Sequence, residues 1–247
     1  AYAWFGAIGA AFLCGDLAGQ AAGGRTARAS VPATAAVGEG ATARPLSLER
    51  VLLLRDRVRP YRLPEAGEVM DAYLGIDVGS VSTNLVVLND AAEVLHEIYV
   101  RTEGRPIEVV TAGLQTIAAA LGDRIRIRGV GATGSGRELI GELVGADTVT
   151  DEITAHKTGA MYVSQTLLGE QVDTIFEIGG QDSKFIAIED GVVVDFAMNE
   201  ACAAGTGSFL EEQAERLGIS IKDEFAALAF QSHHPVRLGE RCTVFME

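Results

Sequence analysis

The sequence predicts an α/β domain over residues 71–247, and two features carry that expectation. A short apolar run ends in an acid, enters a glycine turn and continues as a hairpin, first at Asp77 and again at Glu177. A segment of helical spacing follows each hairpin. Strand–turn–strand–strand followed by a helix belongs to α/β architectures rather than to all-α or all-β ones.

Residues 73–78 form the first expected strand. Strands over 84–88 and 93–99 follow, with Asn89-Asp90 as the hairpin turn between them. Pro106–Leu121 sets Ile107, Val110, Leu114 and Ile117 at helical spacing. Residues 125–130 alternate as a strand and run into the glycine-rich turn 131–136. Helices are expected over Arg137–Val144 and over 151–168. The second half repeats the outline. A strand over 172–177 leads into the turn 178–182, and 184–188 with 192–196 make a hairpin around Glu189-Asp190-Gly191. Residues 205–217 read as a helix closed by Gly218, and 223–230 as a last short one.

Composition bounds the function. The chain has 247 residues, 48% of them hydrophobic, enough for at least one packed core. Its net charge of −14 argues against nucleic acid or an anionic membrane as partner. Eight arginines against three acids lie between Arg25 and Arg62, so the remainder carries −19; the basic stretch reads as a solvated linker. Cys14, Cys202 and Cys242 are too few and too widely spaced for a secreted disulfide framework, and a reducing cytoplasm suits them. The apolar opening, residues 1–14, has no basic region before it and is too short to span a bilayer. The chain starts without Met and stops at Glu247 without a polar tail, which reads as a fragment of a longer polypeptide. Residues 1–22 are expected to be the C-terminal remnant of an upstream domain. Residues 23–70 are read as a linker with one amphipathic turn around 46–58, and 71–247 as the start of the α/β domain.

Three motifs carry chemistry. In Asp77-Val-Gly-Ser-Val-Ser-Thr83 a carboxylate ends a buried strand and a Gly/Ser/Thr turn follows at once. Backbone N–H groups of such a turn can cradle phosphate oxygens, and Asp77 can hold Mg²⁺ through water. An ordinary hairpin with a satisfied Asp is the competing reading. The turn leads into a strand, so it is neither a Walker A loop nor a Rossmann fingerprint. Glu177-Ile-Gly-Gly-Gln-Asp-Ser-Lys184 repeats the acid-then-glycine pattern, and the repetition favours two phosphate grips. Gln181 can orient an attacking water, and Asp182 can help with metal or water. Lys184 reads as a strand-edge charge ahead of a phosphate contact. In the third motif, residues 199–210, Cys202 precedes an expected helix start, where the positive end of the helix favours a thiolate or an anionic cluster. Cys242 sits in Gly239-Glu-Arg-Cys-Thr-Val-Phe245. Cys14 reads as an inert buried thiol. His156 reads as a capped core histidine on its helix, and His233-His234 as an exposed turn.

Six segments in order, Leu74-Gly-Ile-Asp-Val-Gly-Ser80, Gly129-Val-Gly-Ala-Thr-Gly134, Glu152-Ile-Thr-Ala-His156, Glu177-Ile-Gly-Gly-Gln-Asp182, Cys202-Ala-Ala-Gly-Thr-Gly207 and Arg241-Cys-Thr-Val-Phe245, carry a resemblance. Together they resemble the ATP-hydrolysing activators of 2-hydroxyacyl-CoA dehydratases and the related ATPase subunits of benzoyl-CoA reductases. The resemblance implies the ATPase fold of actin, heat-shock chaperones and sugar kinases, with a ribonuclease H-like lobe, here incomplete at its C-terminal end. It implies a homodimer sharing one [4Fe-4S] cluster held by Cys202 and Cys242 of each chain. ATP binding is implied at Gly79, Ser80, Val81, Ser82 and Thr83 and at Gly179, Gly180 and Gln181. Asp77, Gln181 and Asp182 are the implied catalytic residues. Glu177 stands where shorter members usually carry Asp. Implied partners are a dehydratase-like or reductase component and reduced ferredoxin or flavodoxin as electron donor. Residues 1–22 are similar to the terminal helix of such a domain, which implies two activator-like domains in tandem in the parent. Two other classes compete. A sugar-kinase-like phosphotransferase would share the phosphate turns without needing the cysteines, and a non-catalytic scaffold would keep the fold with vestigial turns.

Overall fold

A computed structural model of the chain describes residues 44–235, apart from 46, 50, 58–62, 66 and 200–204. All three cysteines and the segment 1–22 lie outside the described residues. Among the described residues there are eight strands: β1 (Met70–Val78), β2 (Ser82–Asn89), β3 (Val94–Arg101), β4 (Ile125–Thr133), β5 (Thr148–Val149), β6 (Thr174–Ile178), β7 (Ser183–Glu189) and β8 (Val192–Met198). Five helices accompany them: α1 (Pro106–Leu121), α2 (Arg137–Val144), α3 (Glu152–Leu168), α4 (Gly207–Leu217) and α5 (Phe225–Phe230). A 3-10 turn, Leu54–Asp56, lies among the described residues of the stretch read as linker. No described helix is long and apolar enough to cross a membrane.

The described residues fall into two compact units. The first comprises Leu54–Ile175 with Ile188–Val193; the second comprises Phe176–Ala187 with the described parts of Val194–Glu247 and Thr26–Leu53. In the first unit the sheet order is β3-β2-β1-β4-β5. β1, β2 and β3 pair antiparallel as consecutive hairpins, while β4 and β5 join parallel to β1 and β4. β2 is buried along nearly its whole length, which accounts for its unbroken apolar run Leu85-Val-Val-Leu88. One face of the sheet, with Leu74, Ile76, Leu85 and Val87, packs against Val110, Ile117 and Leu121 of α1 and Ile140 of α2. The other face, with Val86 and Leu88, packs against Tyr162 and Val163 of α3.

The helix ends follow local chemistry. Pro106 stands at the start of α1, where its missing N–H costs nothing. Asp151 is outside α3 and caps it, its Oδ1 accepting from Thr154 N at 2.9 Å. The expected start of the last long helix shifts from 205 to Gly207 because Gly205 is left-handed (φ 68°). The β2–β3 turn is longer than the expected Asn89-Asp90 pair. Asn89 Oδ1 accepts from Glu93 N at 2.8 Å, and Ala92 takes φ 57° inside a four-residue loop.

The second sheet has the order β6-β7-β8. Asp190 (φ 49°) and Gly191 (φ 78°) join β7 to β8 in the two-residue turn whose twist suits a hairpin. In the second unit Phe176 and Ile178 of β6 and Phe196 and Met198 of β8 are exposed, and the rings of Phe176 and Phe185 of β7 meet at a tilt of 45° with centroids 5.2 Å apart.

Candidate functional site

The two acid–glycine turns are built alike, each within its own unit. After β1, Gly79 N donates to Ser82 O at 2.9 Å; after β6, Gly179 N donates to Asp182 O at 2.9 Å. Each glycine is two residues past its acid, Asp77 or Glu177, and its own amide closes the turn. Gly79 and Gly179 therefore shape the turns, and the residues that follow occupy their tips.

The first turn is braced from two sides. Thr102 Oγ1 donates to Gly79 O at 2.8 Å and lies 2.9 Å from Thr83 Oγ1, while Thr102 N donates to Val81 O. Gly136 N donates to Val78 O at 2.9 Å. Asp77, half-buried and opposite Thr133 in the parallel register, rests its carboxylate on Gly134. A Cβ on Gly134 would lie 2.5 Å from Val78 O and 2.6 Å from Asp77 Oδ1, and the residue has φ +90°. The segment 129–134 thus backs the Asp77 turn, a role its sequence alone did not disclose. Gly134→Ala is expected to cost about 3 kcal/mol from forbidden backbone and overpacking together. A thermal melt shows this as a fall of several degrees, and an unchanged melting temperature would contradict the packing.

The second turn corrects the reading of Lys184. β7 is the middle strand of its sheet, so Lys184 is not at an edge. It is buried, and its Nζ meets Glu177 Oε2 at 2.8 Å. An ammonium taken out of water requires an opposite charge, and the acid that ends β6 supplies it. Lys184→Met, which leaves the Glu177 carboxylate without this cation, is expected to cost about 3 kcal/mol. Adding Glu177→Gln should recover much of that loss, which a double-mutant cycle of unfolding free energies measures.

Other residues tie into the same turn. Asn199, at the end of β8, accepts from Ser183 N through Oδ1 at 2.8 Å and donates from Nδ2 to Gln181 O at 3.3 Å. Thr206 Oγ1 donates to Gly180 O at 3.0 Å. Gly207 N and Ser208 N, the first amides of α4, donate to Gly179 O and Gly180 O, each at 2.9 Å. These two amides are bonded to the turn. Gln181 is exposed and Asp182 half-buried. His156 is on α3 with Nδ1 2.8 Å from Glu152 O, the capped helix histidine expected. Among the sequence-derived site residues, Asp77 and 79–83 share the first unit, and 179–182 the second. Cys202 and Cys242 lie outside the described residues.

The donor set suits a phosphate-bound divalent ion. Asp77 offers carboxylate oxygen at a half-buried strand end, and Mg²⁺ takes one or two such carboxylates, keeping water and phosphate as its other ligands. Among the described residues no group of three or more His, Cys, Asp or Glu gathers into a metal cage of protein ligands alone.

The profile of the BadF/BadG/BcrA/BcrD ATPase family matches residues 74–247. The chain belongs to this ATPase family. It is 34% identical over 178 residues to the (R)-2-hydroxyglutaryl-CoA dehydratase activating ATPase of Acidaminococcus fermentans, covering 70% of this chain and 64% of that protein. The crystal structure of component A of the A. fermentans (R)-2-hydroxyglutaryl-CoA dehydratase superposes with a TM-score of 0.59 at 32% identity, covering 70% of this chain and 64% of that one. The Clostridium difficile activator of 2-hydroxyisocaproyl-CoA dehydratase with bound ADPNP gives 0.56 at 27% identity, covering 71% and 62%. The fold is therefore the α/β ATPase fold of the activators, and this chain spans a little under two thirds of their length.

Proposed function

We propose that residues 71–247 are the front of an activator-type ATPase domain that drives low-potential electron transfer to a 2-hydroxyacyl-CoA dehydratase-type or benzoyl-CoA reductase-type partner. In this reading residues 23–70 link it to the remnant 1–22 of a preceding domain. The observation that carries the reading is the pair of acid–glycine turns closed in the same way, Gly79 N to Ser82 O and Gly179 N to Asp182 O, in a chain of this ATPase family.

The roles follow from the chemistry of the two turns. Asp77 would hold Mg²⁺, which supplies charge stabilisation at the phosphates when bound. Because Gly79 and Gly179 spend their amides on closure, the amides of Ser80, Val81 and Ser82 and of Gly180 and Gln181 are the donors assigned to phosphate oxygens, while Thr83, paired with Val78 and Val100 in the sheet, fixes the base of the first turn. The exposed Gln181 side chain orients the attacking water, and Asp182 steadies metal or water. Cys202 and Cys242 of two copies hold one [4Fe-4S] cluster, which supplies one-electron chemistry when bound. Reduced ferredoxin or flavodoxin would be the donor. The protein would be a cytoplasmic homodimer that leaves the acyl-CoA chemistry to its partner.

The test is ATP hydrolysis by the full-length protein, assayed with its iron and sulfide content. Hydrolysis together with iron supports the activator. Phosphate transfer to a sugar by an iron-free protein would replace it with a phosphotransferase. Bound iron without hydrolysis would leave a scaffold.

A further inference from the structure

The segment 200–204 is bracketed by residues that both grip the turn Gly179–Ser183. Before it, Asn199 N donates to Ser183 O at 3.1 Å, Asn199 Oδ1 accepts from Ser183 N at 2.8 Å, and Asn199 Nδ2 donates to Gln181 O at 3.3 Å. After it, Thr206 Oγ1 and Ser208 N both donate to Gly180 O, and Gly207 N donates to Gly179 O. Three consecutive carbonyls, of Gly179, Gly180 and Gln181, are thus held from the two ends of one segment. Thr206 is fully buried and stands at the N-cap of α4, yet its hydroxyl makes no cap bond to its own helix. It serves the turn instead. The approach is close: a Cβ on Gly207 would lie 3.2 Å from Gly179 O.

We infer that Asn199 and Thr206 are positioning residues that couple phosphate occupancy of the Gly179–Gln181 turn to the start of α4. The inference rests on the proposal that this turn binds nucleotide. A peptide unit is planar and stiff, and it carries the carbonyl of one residue and the N–H of the next. The plane that offers Gln181 N–H to a phosphate therefore presents Gly180 O to Thr206 and Ser208. The plane that offers Gly180 N–H presents Gly179 O to Gly207. When a phosphate draws on one edge of a plane, the plane tilts and polarises, and the bonds on its other edge respond. A helix start held by three such bonds moves with the turn, and the helix carries the displacement along its length. Asn199 gives the upstream flank the same tie through Gln181 O.

The experiment uses the full-length protein and magnesium-bound ADPNP. Calorimetry measures the affinity, amide hydrogen exchange reads Gly207, Ser208 and Phe209, and steady-state kinetics give kcat and KM for ATP. In the wild type, ADPNP is expected to slow exchange at these amides by about tenfold, the scale of one hydrogen bond gained or strengthened. Thr206→Val keeps the shape and removes the hydroxyl; it should remove most of that response and lower kcat while KM for ATP stays put. Thr206→Ser should restore both. Asn199→Ala should weaken the response in the same direction. A merely structural role would lower thermal stability without altering the nucleotide response or splitting kcat from KM. A full exchange response in Thr206→Val and Asn199→Ala, with ADPNP bound, overturns the coupling alone. Failure of the wild type to bind ADPNP overturns the nucleotide reading, and the coupling with it.

Discussion

Asp77→Ala is expected to lower ATP hydrolysis by the full-length protein about 100- to 1,000-fold, the loss seen when one preorganised group that stabilises transition-state charge is removed. The carboxylate ends β1 beside the glycine turn and rests against Gly134, so the backbone of two strands fixes its position. A group held this way pays no reorganisation when charge develops on the transferred phosphoryl oxygens. Asp77→Asn is the sharper variant. It keeps the size of the side chain and its seat on Gly134 but removes the charge proposed to attract the metal. It should lose nearly as much rate as alanine while the melting temperature stays close to wild type. Turnover near the wild-type rate in either variant, measured at saturating Mg²⁺, would remove Asp77 from the metal site.

Most of the frame was legible because local signals and tertiary demands agree. The bounds of α1 match the expectation from Pro106 to Leu121, since Pro at the start and Gly122 after the end both favour that span. α2 likewise runs from Arg137 to Val144, stopped by left-handed Gly145. Where sequence and structure part, non-local pairing is the reason. Residues 131–133 have the composition of a turn, yet they extend β4, because Gly131, Ala132 and Thr133 pair in parallel with Gly75, Ile76 and Asp77. β5 has two residues, Thr148 and Val149, too few to show alternation; it exists because Gly131 and Ala132 offer it an edge. The last helix begins at Phe225 rather than 223, since Ser220 Oγ binds Asp223 and Ser220 N binds Glu224 in a preceding turn. The acid–glycine turns themselves were visible as motifs. Their supports were not. Thr102, Gly134, Asn199 and Thr206 lie 16 to 56 residues from the turns' carbonyls or are hidden in other motifs, and only Thr206, a threonine just before a helix, carried a local hint. Lys184 was misread because period-2 alternation tells which face a residue takes but not whether its strand is central.

Cys202→Ser and Cys242→Ser are each expected to strip iron from protein prepared without oxygen and to weaken its dimer. A [4Fe-4S] cluster usually takes four thiolates. The chain has three cysteines, and Cys14 lies in residues 1–22, proposed above to belong to a preceding domain, so one copy offers two in matching motifs. Two copies sharing one cluster complete the set, with the same residues contributed twice across a two-fold axis. Intact protein should then be brown and carry about two irons and two sulfides per chain, half of one cluster. The bonds of α4 sharpen what stabilises such a site. Gly207 N and Ser208 N already donate to Gly179 O and Gly180 O, so the helix would act on an anionic cluster through the field of its dipole and not through these two amides. Because the thiolates would bridge two chains, losing either pair should remove metal and shift the protein towards monomer together, which elemental analysis and light scattering on the same sample can follow. Four thiolates also satisfy zinc. A colourless dimer holding zinc, or one that keeps its iron after Cys202→Ser, would return both cysteines to a structural role and leave the chain an ATPase without an electron carrier of its own.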